Sequence, residues 1–138
     1  MQKSIFLILL SIIIFGANCR KTENDIPYTP VDITININEP AFFNLTAISG
    51  HEAIVGGSMG IIIYRKGFDE FIALERHVPF NVSENCRVDI LEDDVTLEDP
   101  CSGSQWLILD GSIIQGPAAQ PLLQYSTSFN NPFLRIYN

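Results

Sequence analysis

From Val31 to Ile37 apolar and polar residues alternate as Val-Asp-Ile-Thr-Ile-Asn-Ile, which sets one face of a strand against a core. Phe42 to Ile48 is expected to form another short strand. Ala53-Ile54-Val55 runs into Gly56-Gly57, a turn signal, and Gly60 opens Ile61-Ile62-Ile63-Tyr64-Arg65. That second run is short, β-branched and bounded by glycines, so it predicts a buried strand rather than a helix. Gly67-Phe68-Asp69 marks a turn before Phe71-Ile72-Ala73-Leu74-Glu75. Further strands are predicted at 87–91, 105–109, 112–114, 122–125 and 133–137. Asp110-Gly111 gives a hairpin signal, because such a turn needs a positive φ that glycine adopts freely. No stretch sustains a period of 3.6. Many short strands with frequent turns predict an all-β sandwich or barrel over residues 31–138.

The first eighteen residues follow another pattern. Met1-Gln2-Lys3-Ser4 carries one positive charge, Ile5 to Phe15 is almost wholly Ile, Leu and Phe, and Gly16-Ala17-Asn18 precedes Cys19. A charged start, an apolar stretch of about 11 residues and small residues before a cut describe a secretory signal. The stretch falls well short of the roughly 20 residues that span a bilayer. The junction resembles the bacterial lipobox, although Asn18 stands where Gly, Ala or Ser is usual. That resemblance implies lipidation of Cys19, a signal peptide at 1–18 and a bacterial envelope lipoprotein, periplasmic or outer-membrane. An ordinary secreted protein with an incidental Cys is the alternative. Residues 19–30 are mostly polar with two prolines and read as a flexible tether.

Composition narrows the partners. With 8 basic and 16 acidic residues in 138, the formal charge is −8. Such a balance argues against nucleic acid or an anionic membrane surface as the ligand. Acyl chains would make the membrane contact instead.

One segment carries a family resemblance. From Asp99 the chain reads Asp-Pro-Cys-Ser-Gly-Ser-Gln-Trp, then Leu-Ile-Leu-Asp-Gly-Ser-Ile-Ile-Gln, then Gly-Pro-Ala-Ala-Gln-Pro-Leu. This resembles the second cluster-binding loop of Rieske iron–sulfur domains, with Pro100, Gly103, Ser104, Trp106, Gly111, Gly116, Pro117, Ala118, Pro121 and Leu122 in register. Ala73 to Phe80 is similar to the first loop, more weakly. The resemblance implies stacked antiparallel sheets, a base of N- and C-terminal strands, and a two-loop tip at 77–86 and 99–106.

The departures from that pattern concern the ligands. A Rieske centre is held by two Cys thiolates and two His imidazoles. In register, the Cys positions are Val78 and Asp99, and the His positions are Phe80 and Ser102. Val and Phe offer no donor atom, while Asp and Ser offer hard oxygens unsuited to a sulfide cluster. No cofactor is therefore expected; a [2Fe–2S] cluster on rearranged ligands such as Cys86, Cys101, His51 and His77 is the alternative. Respiratory-complex Rieske proteins carry a disulfide between the two loops, and the resemblance places Cys86 and Cys101 at its ends. An exported protein sits where disulfides persist.

Other residue groups admit weaker readings. Asp89, Glu92, Asp93, Asp94, Glu98 and Asp99 suggest a solvated acidic loop, with a Ca²⁺ site as the alternative, although no Asp-x-Asp-x-Asp-Gly pattern is present. His77 near Glu75 and Asp99 is a conceivable general-base pair against a plain loop histidine. Trp106 is expected in the core. Asn44-Leu45-Thr46 and Asn81-Val82-Ser83 match the glycosylation pattern, incidentally in a bacterial protein. No metal site, catalytic residue or enzyme activity is expected. The expected role is a non-catalytic binding or assembly module with a possible protein partner at the tip. Electron transfer and thiol–disulfide exchange through Cys86 and Cys101 are the alternatives.

Overall fold

In the computed structural model, which describes residues 25–138, the alternating and β-branched runs become ten strands in two antiparallel sheets. The strands are β1 (Asp32–Asn36), β2 (His51–Ile54), β3 (Ile61–Arg65), β4 (Phe71–Glu75), β5 (Asp89–Ile90), β6 (Thr96–Glu98), β7 (Gln105–Leu107), β8 (Ile113–Gln115), β9 (Gln124–Asn130) and β10 (Phe133–Tyr137). The larger sheet runs β1-β10-β9-β4-β3-β2 and the smaller β5-β6-β7-β8. The expected all-β architecture is present, with first and last strands paired as a base: Ile33 lies opposite Ile136, and Ile35 opposite Leu134. The signal segment, Cys19 and the start of the tether lie outside the described residues. Among those described, no helix is long and apolar enough to cross a membrane. Residues before β1 are already tied to the domain, since Asn138 donates to the Thr29 carbonyl and accepts from the Val31 amide.

Strands β3 and β4 separate two cores. Ile61, Ile63, Phe71 and Ala73 face one, with Ile35, Leu45, Leu134 and Ile136. Their neighbours Ile62, Tyr64, Ile72 and Leu74 face the other, with Val78, Val88, Leu97, Trp106, Ile108 and Leu122. A strand buried on both faces has no polar alternation, which is why these runs read as continuously apolar. Trp106 is buried as expected, and its indole N–H donates to the Gln120 carbonyl at 2.9 Å.

Residues 42–48 do not form the predicted strand. Pro40–Thr46 is a 3₁₀ segment with proline at its start. Proline lacks an N–H and its φ suits a helical first turn, so it opens this segment well and would interrupt a ladder. A strand would set Phe43 and Leu45 on one face; instead Leu45 is buried and Phe43 is 67% exposed. The acidic stretch holds more structure than a loop, because β5 and β6 lie within it. At Asp110-Gly111 the chain does turn, with Gly111 at φ +71° and its N–H donating to Leu107. The strand before the turn stops at Leu107, short of the predicted Leu109, and the next begins at Ile113.

The 3₁₀ packing predicts an asymmetry. Leu45→Ala should lower unfolding stability by about 2–5 kcal/mol, the range for emptying a core leucine site. Phe43→Ala should change it by less than about 0.5 kcal/mol. Urea unfolding of both variants checks this, and equal losses would mean that the two side chains share a buried face.

Candidate functional site

The two loops that the sequence marks as a tip are brought together and closed. The first leaves β4 and returns toward β5: Val88 N–H donates to the Arg76 carbonyl, and Val78 N–H to that of Cys86. Its far end is a 3₁₀ turn, Val82–Glu84, flanked by Asn81 and Asn85 at positive φ. Asparagine tolerates that conformation better than most residues. The second loop joins β6 to β7, with Asp99 and Ser104 bonded through their backbones and Gly103 at φ +76°. Cys86 and Cys101 form a disulfide between the loops, with Cα atoms 6.3 Å apart.

Each position in register with a Rieske ligand has a definite environment here. Val78 is fully buried in the second core, and Phe80 packs against that core. The Asp99 carboxylate is 1% exposed and turned onto its own loop. It accepts from the backbone N–H groups of Cys101 (3.0 Å) and Ser102 (3.2 Å) and from the Ser102 hydroxyl. Ser102 Oγ lies 2.8 Å from Ser104 Oγ, which accepts from Ala118 N–H at 2.9 Å and so ties in the Gly-Pro-Ala segment.

These residues do not fit a [2Fe–2S] cluster. Two of the four positions carry hydrocarbon, Val78 inside the core and Phe80 against it, and the other two hydrogen-bond to each other. The rearranged set fares no better, since Cys86 and Cys101 are bonded to one another. His51 lies on β2, with its ring paired to Asp94 at 3.1 Å. His77 is enclosed: its Nε2 donates to the Val82 carbonyl at 3.1 Å, and its Nδ1 lies 2.8 Å from Ser58 Oγ.

The general-base reading of His77 does not match these contacts. Glu75 meets the His77 backbone N–H rather than its ring, and no bond joins His77 to Asp99. Glu75 is instead the centre of a buried network that the sequence did not reveal. Its carboxylate is 0% exposed and accepts from Ser58 N–H, Met59 N–H, His77 N–H and the Tyr125 hydroxyl. Burial, and then the hydrogen bond to Glu75, push the Tyr125 phenol above its ordinary range. The acidic run likewise disperses. Asp89 pairs with Arg76, Asp94 with His51, and Glu98 accepts from Gln105. Asp93 accepts from the Thr96 hydroxyl and from the amides of Thr96 and Val95, which hold its carboxyl below the usual range. Among the described residues, the group of three or more metal-ligating side chains that converges is Cys86, Asp99 and Cys101.

This geometry can be set beside known structures. A cyanobacterial plasma membrane Rieske protein, PetC3 from Synechocystis PCC 6803, superposes with a TM-score of 0.59 at 17% identity, over 77% of this chain and 99% of that one. The chain has a Rieske-like fold. The ferredoxin of carbazole 1,9a-dioxygenase from Nocardioides aromaticivorans IC177 also matches, with a TM-score of 0.47 and 13% identity over 79% of this chain and 97% of its own. No protein-family model and no curated protein sequence matches. At these identities the Rieske-like likeness is one of fold, and function has to be argued from the site.

Two measurements follow. Tyr125→Phe removes one donor from a buried carboxylate and should lower stability by about 1–3 kcal/mol in denaturant unfolding, with the fold retained. Asp93, held below its ordinary pKa in the folded chain, contributes stability that is complete above the unfolded carboxylate pKa. That contribution fades as pH falls through the lowered value. Melting temperature should therefore fall less on acidification below about pH 4 in Asp93→Asn than in the parent; parallel curves would contradict this linkage.

Proposed function

We propose that this chain is a cluster-free Rieske-like module of the bacterial cell envelope, anchored through Cys19 and serving a binding or assembly role rather than electron transfer. The observation that carries the reading is the state of the four ligand positions. Val78 lies in a core, Phe80 against it, and Asp99 and Ser102 close their own loop. An iron–sulfur cluster needs deprotonated thiolates and free imidazole nitrogens aimed at one point. In their place a disulfide and a hydrogen-bonded carboxylate hold the loops. Closing the 15-residue separation between Cys86 and Cys101 contributes about 3 kcal/mol by the chain-entropy relation.

The tip surface is selective about what it offers a partner. Val78 is buried and unavailable, so an apolar contact at the tip cannot centre on it. Beside the first loop lies a groove of about 480 Å³ with Ile26, Pro79, Pro121, Leu122 and Leu123 among its walls. A mostly apolar groove with a few polar groups suits a peptide or small molecule better than nucleic acid. The charge of −8 points the same way.

The test is metal analysis with intact mass on chain expressed with its leader and purified from membranes. The expected protein is colourless and iron-free, and its mass rises by two hydrogens on reduction. Stoichiometric iron with visible absorption would overturn the cluster-free reading, and free thiols before reduction would overturn the bridge. Anchoring is checked separately. Cys19→Ala should release the protein from the membrane fraction and abolish fatty-acid labelling, and unchanged fractionation would refute the anchor.

A further inference from the structure

We infer that the tip disulfide masks a mononuclear site for a thiophilic divalent cation of the zinc type, built from Cys86, Cys101 and Asp99. This goes beyond the cluster-free reading: it uses neither Val78 nor Phe80, and it can fail while the protein remains iron-free. The two sulfurs and a carboxylate oxygen lie within 4.8 Å of one another. In a tetrahedral zinc site with bonds of about 2.3 Å, two thiolates stand about 3.8 Å apart. Cα atoms separated by 6.3 Å can present them at that spacing with changes in side-chain torsion. The third donor is already in place. Asp99 Oδ2 accepts from the Ser102 hydroxyl and amide, while Oδ1 accepts only from the Cys101 amide. Oδ1 therefore keeps a lone pair, and its hydrogen bonds hold it in position as an outer-shell partner would.

The state change balances. A dithiol reductant delivers two electrons and two protons, its own sulfurs become a disulfide, and Cys86 and Cys101 become thiols. The cation then displaces both thiol protons to the solvent and binds two thiolates and the carboxylate, leaving a fourth position for water. Two soft donors favour zinc-type ions over calcium or magnesium. Cys101 is exposed, so both the reductant and the ion can reach the site. The cation also brings positive charge to a chain with twice as many acidic as basic residues.

Cobalt(II) is the probe, on the full chain carrying Cys19→Ser so that only two thiols are present. The disulfide form should bind none. After reduction, one equivalent should give an intense thiolate-to-cobalt charge-transfer band and tetrahedral visible bands, both displaced by zinc, and zinc should raise the melting temperature of the reduced protein. Asp99→Asn keeps both thiols and should bind cobalt at least about tenfold more weakly. Circular dichroism reports whether that variant is folded. Asp99→Glu, which restores a carboxylate, should recover part of the affinity. Absence of the bands in the reduced parent overturns the site. Equal affinity in folded Asp99→Asn overturns the role of the carboxylate, and binding without a rise in melting temperature shows thiols of an unfolded chain instead.

Discussion

The structure depends on β3 and β4 being buried on both faces. Their alternate residues feed two cores, one enclosed by the larger sheet and the 3₁₀ segment, the other between β3–β4 and the smaller sheet with its loops. Because backbone groups in such strands have little access to water, they need partners: β3 pairs with β2 and β4, β4 pairs with β9 at Ala73 and Leu74, and the Phe71 carbonyl accepts from the Thr127 hydroxyl instead. Glu75 sits where β4 leaves this sandwich, and four donors from three chain segments satisfy its carboxylate. A buried charge without them would cost several kcal/mol. The network therefore fixes where the first tip loop starts.

From that point the tip is organised by local closure. His77 bridges Arg87 in backbone register, and the next turn of the loop is enclosed by the His77 ring bonding to Val82. The second loop closes on the Asp99 carboxylate in the manner of an Asx turn, with Ser102 and Ser104 passing the contact on to Ala118. A single covalent bond then joins two loops that are each already folded. This division matters because a cross-link stabilises chiefly by restricting the unfolded chain, whereas hydrogen bonds set the native geometry.

How much of this was legible in the sequence varies with the residues concerned. β3, β4 and β10 were readable to the residue, since β-branched or aromatic runs bounded by glycine or proline leave few alternatives. The Phe42–Ile48 segment misled because its apolar spacing also suits a single turn of helix, and Pro40 decided the matter. β6 was hidden because Thr-Leu-Glu contributes only one apolar side chain, Leu97, within an acidic run. β9 outran its predicted length because its inward positions include Thr127, whose hydroxyl donates to the Phe71 carbonyl and so resembles a surface residue in sequence. At the site, the disulfide followed from family resemblance, and the same resemblance marked Val78 and Asp99 as positions in register with cluster ligands. Their new roles did not follow. Ser58 and Tyr125 reach Glu75 from 17 and 50 residues away, a convergence that no local pattern encodes.

The tip loops are held by contacts that the rest of the domain does not share. A metal centre holds loops by bonds to side chains, and the rest of the domain meets only the loop backbones. Asp99 and Ser102 meet the same geometric demand from within one loop, while Val78 joins the core that Trp106 and Leu97 already define. Each of these contacts is locally satisfied: hydrocarbon packed with hydrocarbon, and carboxylate capped by amides. The Rieske-like architecture is shared with PetC3 at 17% identity. The cysteine pair is the part of the tip whose chemistry stays open, because a disulfide, unlike a buried valine, can be undone by two electrons.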